Sequence, residues 1–251
     1  MHAQPPPAAP PLLTDRFAGQ ALLRPDGSVA AVGAWDPQAI FDVLTPEPGY
    51  WRGKRVLDNG ANTLGLPLLL ARAGASVVAL EPDPHVRLWQ RQELALQMAR
   101  DEGLDLELHQ AELFDAHGYG RFDEVLCLGL IYHLRYFQFT IDYLSTLETE
   151  TVVLASQTHP VVGRETLALY NRADEAVWPR PKGHVLHGWH PTRPLLKAAM
   201  ASAGFTDIVS LTDETVDFPE MPVKGLTNSA YYRARRGQPV DPFKVFRRFY
   251  P

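Results

Sequence analysis

The run Asp58-Asn59-Gly60-Ala61-Asn62-Thr63-Leu64-Gly65 joins a β-rich stretch to a helical one, which is where a nucleotide-binding loop must sit. Read as the dinucleotide pattern G-x-G-x-x-G, it keeps Gly60 and Gly65 but places Asn62 where a pyrophosphate needs bare backbone. Asp58, at the tip of the strand, would also meet that pyrophosphate with like charge. A ligand that carries an ammonium and no phosphate suits this carboxylate better, and S-adenosylmethionine (SAM) is such a ligand. Asp58, Gly60 and Asn62 are therefore expected at its amino acid end. Glu81 lies 21 residues beyond Gly60, at the end of the next β-rich run, where an acid accepts the ribose hydroxyls of a nucleoside; Pro82 follows it. Ala111, Glu112 and Leu113 come after the third run and are placed to read the adenine edge. Leu128 and Gly129 end the fourth run and complete the expected cofactor contacts.

Methyl transfer from a sulfonium is an in-line displacement at an activated carbon, so a protein needs only to align the acceptor and take its proton. Three residues are candidates for that work. Tyr132 and His133 follow the fourth run; the imidazole is placed to act as a base or to close the turn, and the tyrosine to line the site or to pack. His159, in Ser156-Gln157-Thr158-His159-Pro160 after the fifth run, is a second base candidate. His184, His187 and His190 are spaced three apart, which is not a helical i, i+4 pair, and no cysteine or acid joins them, so no metal is expected. With Tyr170, Trp178 and Trp189 they are expected to wall an aromatic or polar small-molecule acceptor, and such faces also suit a sulfonium.

Positioning these residues requires a frame. Asp36 caps and Pro37 starts a helix through Ile40, Phe41 and Leu44, broken by Pro-Glu-Pro-Gly at 46 to 49, with Trp35 placed to staple onto Ile40. Short β-rich and helical runs then alternate: Arg55 to Asp58, a helix near 64 to 73, Ser76 to Leu80, a helix near 84 to 102, and Leu106 to His109. Next come Asp123 to Gly129, a helix near 137 to 147, Thr151 to Ser156, a helix near 194 to 203 and strands near 207 to 211 and 229 to 235. Strands separated by helices need crossovers, which predicts an α/β, doubly wound, mostly parallel seven-stranded sheet of Rossmann-like type. Its ligands bind beyond the carboxyl ends of the strands, where every candidate above falls. The expected divisions are an N-terminal arm and helix over 1–50, the binding domain over 51–236 and a tail over 237–251. The long loop at 161–191 is expected to act as a lid or acceptor wall.

Composition narrows the classes. The 251 residues are 45% hydrophobic and 21% charged, which excludes disorder as the main state. A net charge of -5 gives no global field for a phosphate backbone, so nucleic acid would need a local patch; the tail from Phe243 to Tyr250, which interleaves basic and aromatic residues, is the one short stretch of that kind. Docking of that tail on the body, or on a second subunit in a homodimer, explains it as well. A single cysteine, Cys127, excludes a disulfide scaffold and suits a reducing compartment. No apolar run reaches the length of a membrane span, and the Pro- and Ala-rich start from Met1 to Pro11 lacks the pattern of a secretory signal. A cytoplasmic location is expected.

The quoted residues resemble a class I SAM-dependent methyltransferase. VLDNGANTLGLPLLLARAGA is similar to the first motif of that superfamily in a Gly-x-Asn form, with Leu64 at its next glycine, and VVALEPDP is similar to the acidic second motif. FDEVLCLGLIYHLR resembles the fourth strand and Tyr-His turn of the tRNA uridine carboxymethyltransferase branch, through Phe122, Asp123, Val125, Gly129, Tyr132, His133 and Arg135. HPTRPLLKAAMASAGFTDIVSL resembles the late helix and sixth strand. The resemblance spans roughly 51 to 235 and implies the methyltransferase fold, SAM as cofactor and a transferred methyl or carboxymethyl group. It leaves open a small-molecule acceptor or a tRNA. A nicotinamide oxidoreductase and a catalytically silent SAM-binding module are the readings from other classes.

Overall fold

A computed structural model describes residues 19–82, 86–134, 136–158, 168–171, 188–212 and 229–239. Strands β1 (Leu22–Leu23) and β2 (Val29–Ala31) form an antiparallel hairpin ahead of helix α1 (Pro37–Leu44). Then follow β3 (Arg55–Asn59), α2 (Gly65–Arg72), β4 (Ser76–Leu80), α3 (Val86–Asp101), β5 (Leu106–His109), β6 (Phe122–Leu128), α4 (Phe137–Thr146) and β7 (Thr149–Gln157). A second hairpin pairs β8 (Ala168–Asn171) with β9 (Gly188–Pro191), and α5 (Arg193–Ser202), β10 (Phe205–Ser210) and β11 (Ser229–Arg236) complete the order.

The main sheet has seven strands in the order β10-β11-β7-β6-β3-β4-β5. Strands β3 to β7 run parallel, and β11 lies antiparallel between β7 and β10. From β3 the chain winds outward through β4 to β5, then crosses back to place β6 on the other side of β3. That reversal opens a crevice at the carboxyl ends of β3 and β6. The expected doubly wound sheet is what the chain forms. Its central strands are buried on both faces, which is why Val56-Leu57 and Val125-Leu126-Cys127 read as unbroken apolar runs. Ile40, Leu44, Leu66, Leu70 and Tyr231 pack one face; Ile141, Leu144, Leu196 and Met200 pack the other.

At the end of the sheet away from the crevice, the fully buried Glu124 accepts from Tyr50 Oη at 2.8 Å and Arg233 Nε at 3.0 Å, with Lys54 Nζ at 3.4 Å. Arg233 also donates to Leu44 O at 2.6 Å, so one carboxylate ties β6 to β11 and the end of α1.

Two expectations are corrected. From Gly19 onward the N-terminal segment is not an arm: Leu22, Ala30 and Ala31 build a small core with Ala61, Leu64, Ala79 and Ala95. Two- and three-residue strands carry too little periodicity to be read in advance. The stretch 161–191 is not loop throughout, because β8 and β9 pair within it, and β9 runs beside β7 and the turn at Ile131–His133. The helix at Asp36 follows its reading, with Asp36 Oδ1 accepting Gln38 N–H at 2.9 Å. No described helix is long and apolar enough to cross a membrane.

Candidate functional site

The loop after β3 takes a left-handed conformation at alternate residues: Gly60 at φ 76°, Asn62 at φ 53° and Leu64 at φ 68°. Only the first is a glycine. Asparagine tolerates this region, but for leucine it costs about 1–2 kcal/mol. Contacts hold the path in place of missing glycines. Gly60 and Ala61 N–H donate to Leu80 O at 2.9 and 3.1 Å. The Asn62 N–H donates to Glu81 Oε2 at 2.7 Å, its carbonyl accepts Gln92 Nε2 at 2.7 Å, and its Oδ1 accepts Thr63 N–H at 2.8 Å. The Leu64 side chain is completely buried in the small core.

The N-terminal hairpin lies across the same loop. Gln20 O accepts Thr63 Oγ1 at 2.7 Å and Gln20 Oε1 accepts Leu66 N–H at 2.6 Å. Gly65 is required here, because a Cβ would collide with Ala21 O. Its role is close packing of chain against helix start rather than approach to a phosphate.

Asp58, near the carboxyl end of β3, is 2% exposed and lies beneath the loop rather than on the cavity wall. Its Oδ2 has no hydrogen-bond partner among the described residues. Burial first, and the Glu81 carboxylate second, push its carboxyl up to about 7.

Above the carboxyl ends of the strands is a cavity of about 280 Å³. Ten sequence-predicted residues meet on its wall: Gly60, Asn62, Glu81, Pro82, Glu112, Leu113, Leu128, Gly129, Tyr132 and His133. Ala111 does not; it packs half-buried against the core behind them. His159 lies outside the described residues, as do Trp178, His184 and His187. Gly129 has φ 70°, and a Cβ there would sit 3.8 Å from Tyr132 Oη, so the tyrosine folds back over the end of β6. The Tyr132 and His133 rings are tilted with centroids 4.1 Å apart. No group of three metal ligands occurs among the described residues.

The sequence reading missed part of this wall. Gln20, Trp35 and Ile40 come from the N-terminal segment, and Ser156, Gln157, Ser229 and Tyr231 from β7 and β11. Tyr231 shares this wall with Tyr132, and burial together with that neighbour raises its phenol well above the ordinary value. The rule that ligands sit at strand ends points to Ser156 and Gln157. Nothing local in sequence marks Gln20.

No protein-family model and no curated protein matches the chain. Among solved structures, the N-terminal domain of EvdMO1, crystallised with SAH and D-fucose, is similar at TM-score 0.58 and 23% identity, covering 85% of this chain and 88% of that one. Magnesium protoporphyrin IX methyltransferase from Synechocystis PCC 6803, with bound SAH, gives TM-score 0.55 at 15% identity, covering 80% and 83%. The 1,6-didemethyltoxoflavin-N1-methyltransferase of Burkholderia thailandensis gives 0.52 at 15%, covering 80% and 84%. With its strand order and β11 antiparallel between β7 and β10, the chain shares its fold with these solved structures.

Proposed function

We propose that this protein is a SAM-dependent methyltransferase acting on a small aromatic or polar molecule. The observation that carries the reading is Asp58: a buried carboxylate beneath a left-handed loop, with one oxygen unpartnered among the described residues. Such a group calls for a cation, and an α-ammonium above Gly60 answers it, whereas a diphosphate would add repulsion. The donor set fits SAM, which when bound would supply a sulfonium-activated methyl carbon.

The chain's own residues supply the rest. Glu81 stands where ribose hydroxyls donate, and Leu113 walls the adenine side. Gly129 and Tyr132 line the cavity together at the end of β6, where Tyr132 gives the reacting region an aromatic wall. His133, on the same wall, is the group placed to take a proton from an acceptor hydroxyl or ammonium at its imidazole. Tyr132, Tyr231, Trp35 and Ile40 give the acceptor side an apolar, aromatic surface of small volume. The solved relatives named for small substrates, a porphyrin and a toxoflavin precursor, support this scale of acceptor.

Calorimetric titration with SAM and S-adenosylhomocysteine, followed by mass spectrometry of products from a metabolite panel, tests the reading. Micromolar binding of both and a product heavier by a methyl group are expected. A product heavier by a carboxymethyl group would move the chain to the branch that the Tyr-His turn resembles. Binding of a nicotinamide dinucleotide with no binding of either adenosyl compound would overturn the assignment.

A further inference from the structure

Gln20 reaches the cavity from the N-terminal hairpin, outside every motif of the sheet. Its side chain is anchored at one end: Oε1 accepts the Leu66 N–H at 2.6 Å. A backbone N–H can be accepted only by the amide oxygen, so this bond fixes which way round the amide stands. Nε2 is therefore turned away from the helix start, and it has no partner among the described residues. The residue is 8% exposed and lines the cavity. Nε2 is thus an amide donor left for the cavity, where an acceptor on a bound ligand would give it a partner.

The donor is held rigidly. Gln20 O accepts Thr63 Oγ1 at 2.7 Å, the next residue's N–H donates to Trp35 O at 2.9 Å, and the segment packs so closely on Gly33 and Gly65 that a Cβ at either would collide with its backbone. The bond to Leu66 also occupies that N–H, so at the start of α2 it is the Gln20 amide, which lines the cavity, that remains to donate. Glu81 makes the neighbouring wall acidic and Asp58 lies buried beneath the loop behind it, so an amino acid headgroup bound there must keep its own carboxylate away from both. A neutral amide donor provides that place.

We propose that Gln20 reads the carboxylate of the cofactor's amino acid end through Nε2, while its Oε1 caps α2. The proposal deepens the SAM reading and rests on it. It makes the N-terminal hairpin part of the binding site, and it assigns the two charges of the zwitterion to separate elements, the ammonium to the loop over Asp58 and the carboxylate to the hairpin.

The test compares S-adenosylhomocysteine with 5′-methylthioadenosine, which keeps the nucleoside and thioether but lacks the amino acid end. Both are titrated by calorimetry at pH 8 into wild type and Gln20→Glu. Glutamate keeps an oxygen for the Leu66 N–H but turns an acceptor of negative charge toward the ligand. In Gln20→Glu the homocysteine compound is expected to bind about 30-fold more weakly, while methylthioadenosine changes by less than about twofold. Equal affinity of wild type and Gln20→Glu for S-adenosylhomocysteine would reduce Gln20 to a helix cap and overturn the proposal. If wild type binds neither compound, the SAM reading itself has failed. Should Gln20→Glu not fold, Gln20→Met gives the same comparison: selective loss of the homocysteine compound supports the proposal, and parallel loss of both overturns it.

Discussion

Glu81 Oε2 accepts the Asn62 backbone N–H at 2.7 Å, tying the end of β4 to the middle of the loop that follows β3. The acid therefore has two tasks, fixing the loop and facing the cavity. Glu81→Gln keeps an acceptor for Asn62, and Glu81→Ala does not. S-adenosylhomocysteine is expected to bind about tenfold more weakly to the glutamine variant and about 100-fold more weakly to the alanine variant, each tenfold being about 1.4 kcal/mol. Calorimetry reads both. Full affinity in Glu81→Gln with loss in Glu81→Ala would confine the residue to the loop.

Asp58 gives the pH dependence. Between its ordinary value of 3.8 and the raised value of about 7, the folded chain holds a proton that the unfolded chain has released. Stability of the ligand-free protein is therefore highest below 3.8 as far as this group is concerned, declines as pH rises through that window, and bears the whole penalty above 7. Asp58→Asn is expected to raise the melting temperature at pH 8 by about 3–5 °C. The same variant removes the buried charge that the proposed function pairs with the ammonium, so S-adenosylhomocysteine affinity is expected to fall. In wild type that affinity is expected to drop as pH goes from about 8 to 6, where the carboxylate takes up its proton. A flat profile in calorimetry would remove Asp58 from the binding account.

Leu64 and Asn62 share a left-handed backbone but differ in what their side chains do. Leu64→Gly relieves about 1 kcal/mol of strain and loses about 3 kcal/mol of burial, for a net loss of about 2 kcal/mol. Asn62→Gly exchanges the bond to Thr63 N–H for conformational ease and is expected to lie within about 0.5 kcal/mol of wild type. Urea unfolding measures both. The opposite ranking would mean that the glycine-loop path is not the one the chain takes.

Glu124 separates stability from binding. It is fully buried and bonded to Tyr50 and Arg233, with Lys54 close by, at the far end of the sheet from the cavity. Glu124→Ala leaves cations without their carboxylate and is expected to cost about 3–5 kcal/mol in urea unfolding. Affinity of the folded fraction for S-adenosylhomocysteine should stay at the wild-type level.

His133→Ala is expected to lower kcat about 100-fold at unchanged S-adenosylhomocysteine affinity. Single-turnover kinetics at saturating acceptor provide the measurement. An unaltered kcat would leave the imidazole as a turn residue.

Much of this architecture is legible before any coordinates. Arg55–Asn59, Ser76–Leu80 and Phe122–Leu128 are covered on both faces, so their apolar runs announce strands, and the helices between them dictate crossovers. The rule of strand ends then gathers Gly60, Glu81, Gly129 and His133 at one cavity. What stays hidden depends on long-range contact. The burial of Asp58 comes from a loop folding over it, and the position of Gln20 from a hairpin too short to carry a pattern. Leu64 gives the opposite cue to its backbone. Ser229 and Tyr231 sit in a strand that the sequence shows, but their place at the wall follows from β11 entering beside β7 rather than at the edge.

That late insertion has a bearing on biosynthesis. The ribosome makes β7 long before β11, so until residue 236 has emerged the nascent sheet shows an unpaired rim along β7, and one side of the pocket is missing. The wall formed by Gly60, Glu81 and Gly129 is therefore synthesised well before the wall formed by Ser229 and Tyr231, which makes closure of the cavity among the last structural steps of translation.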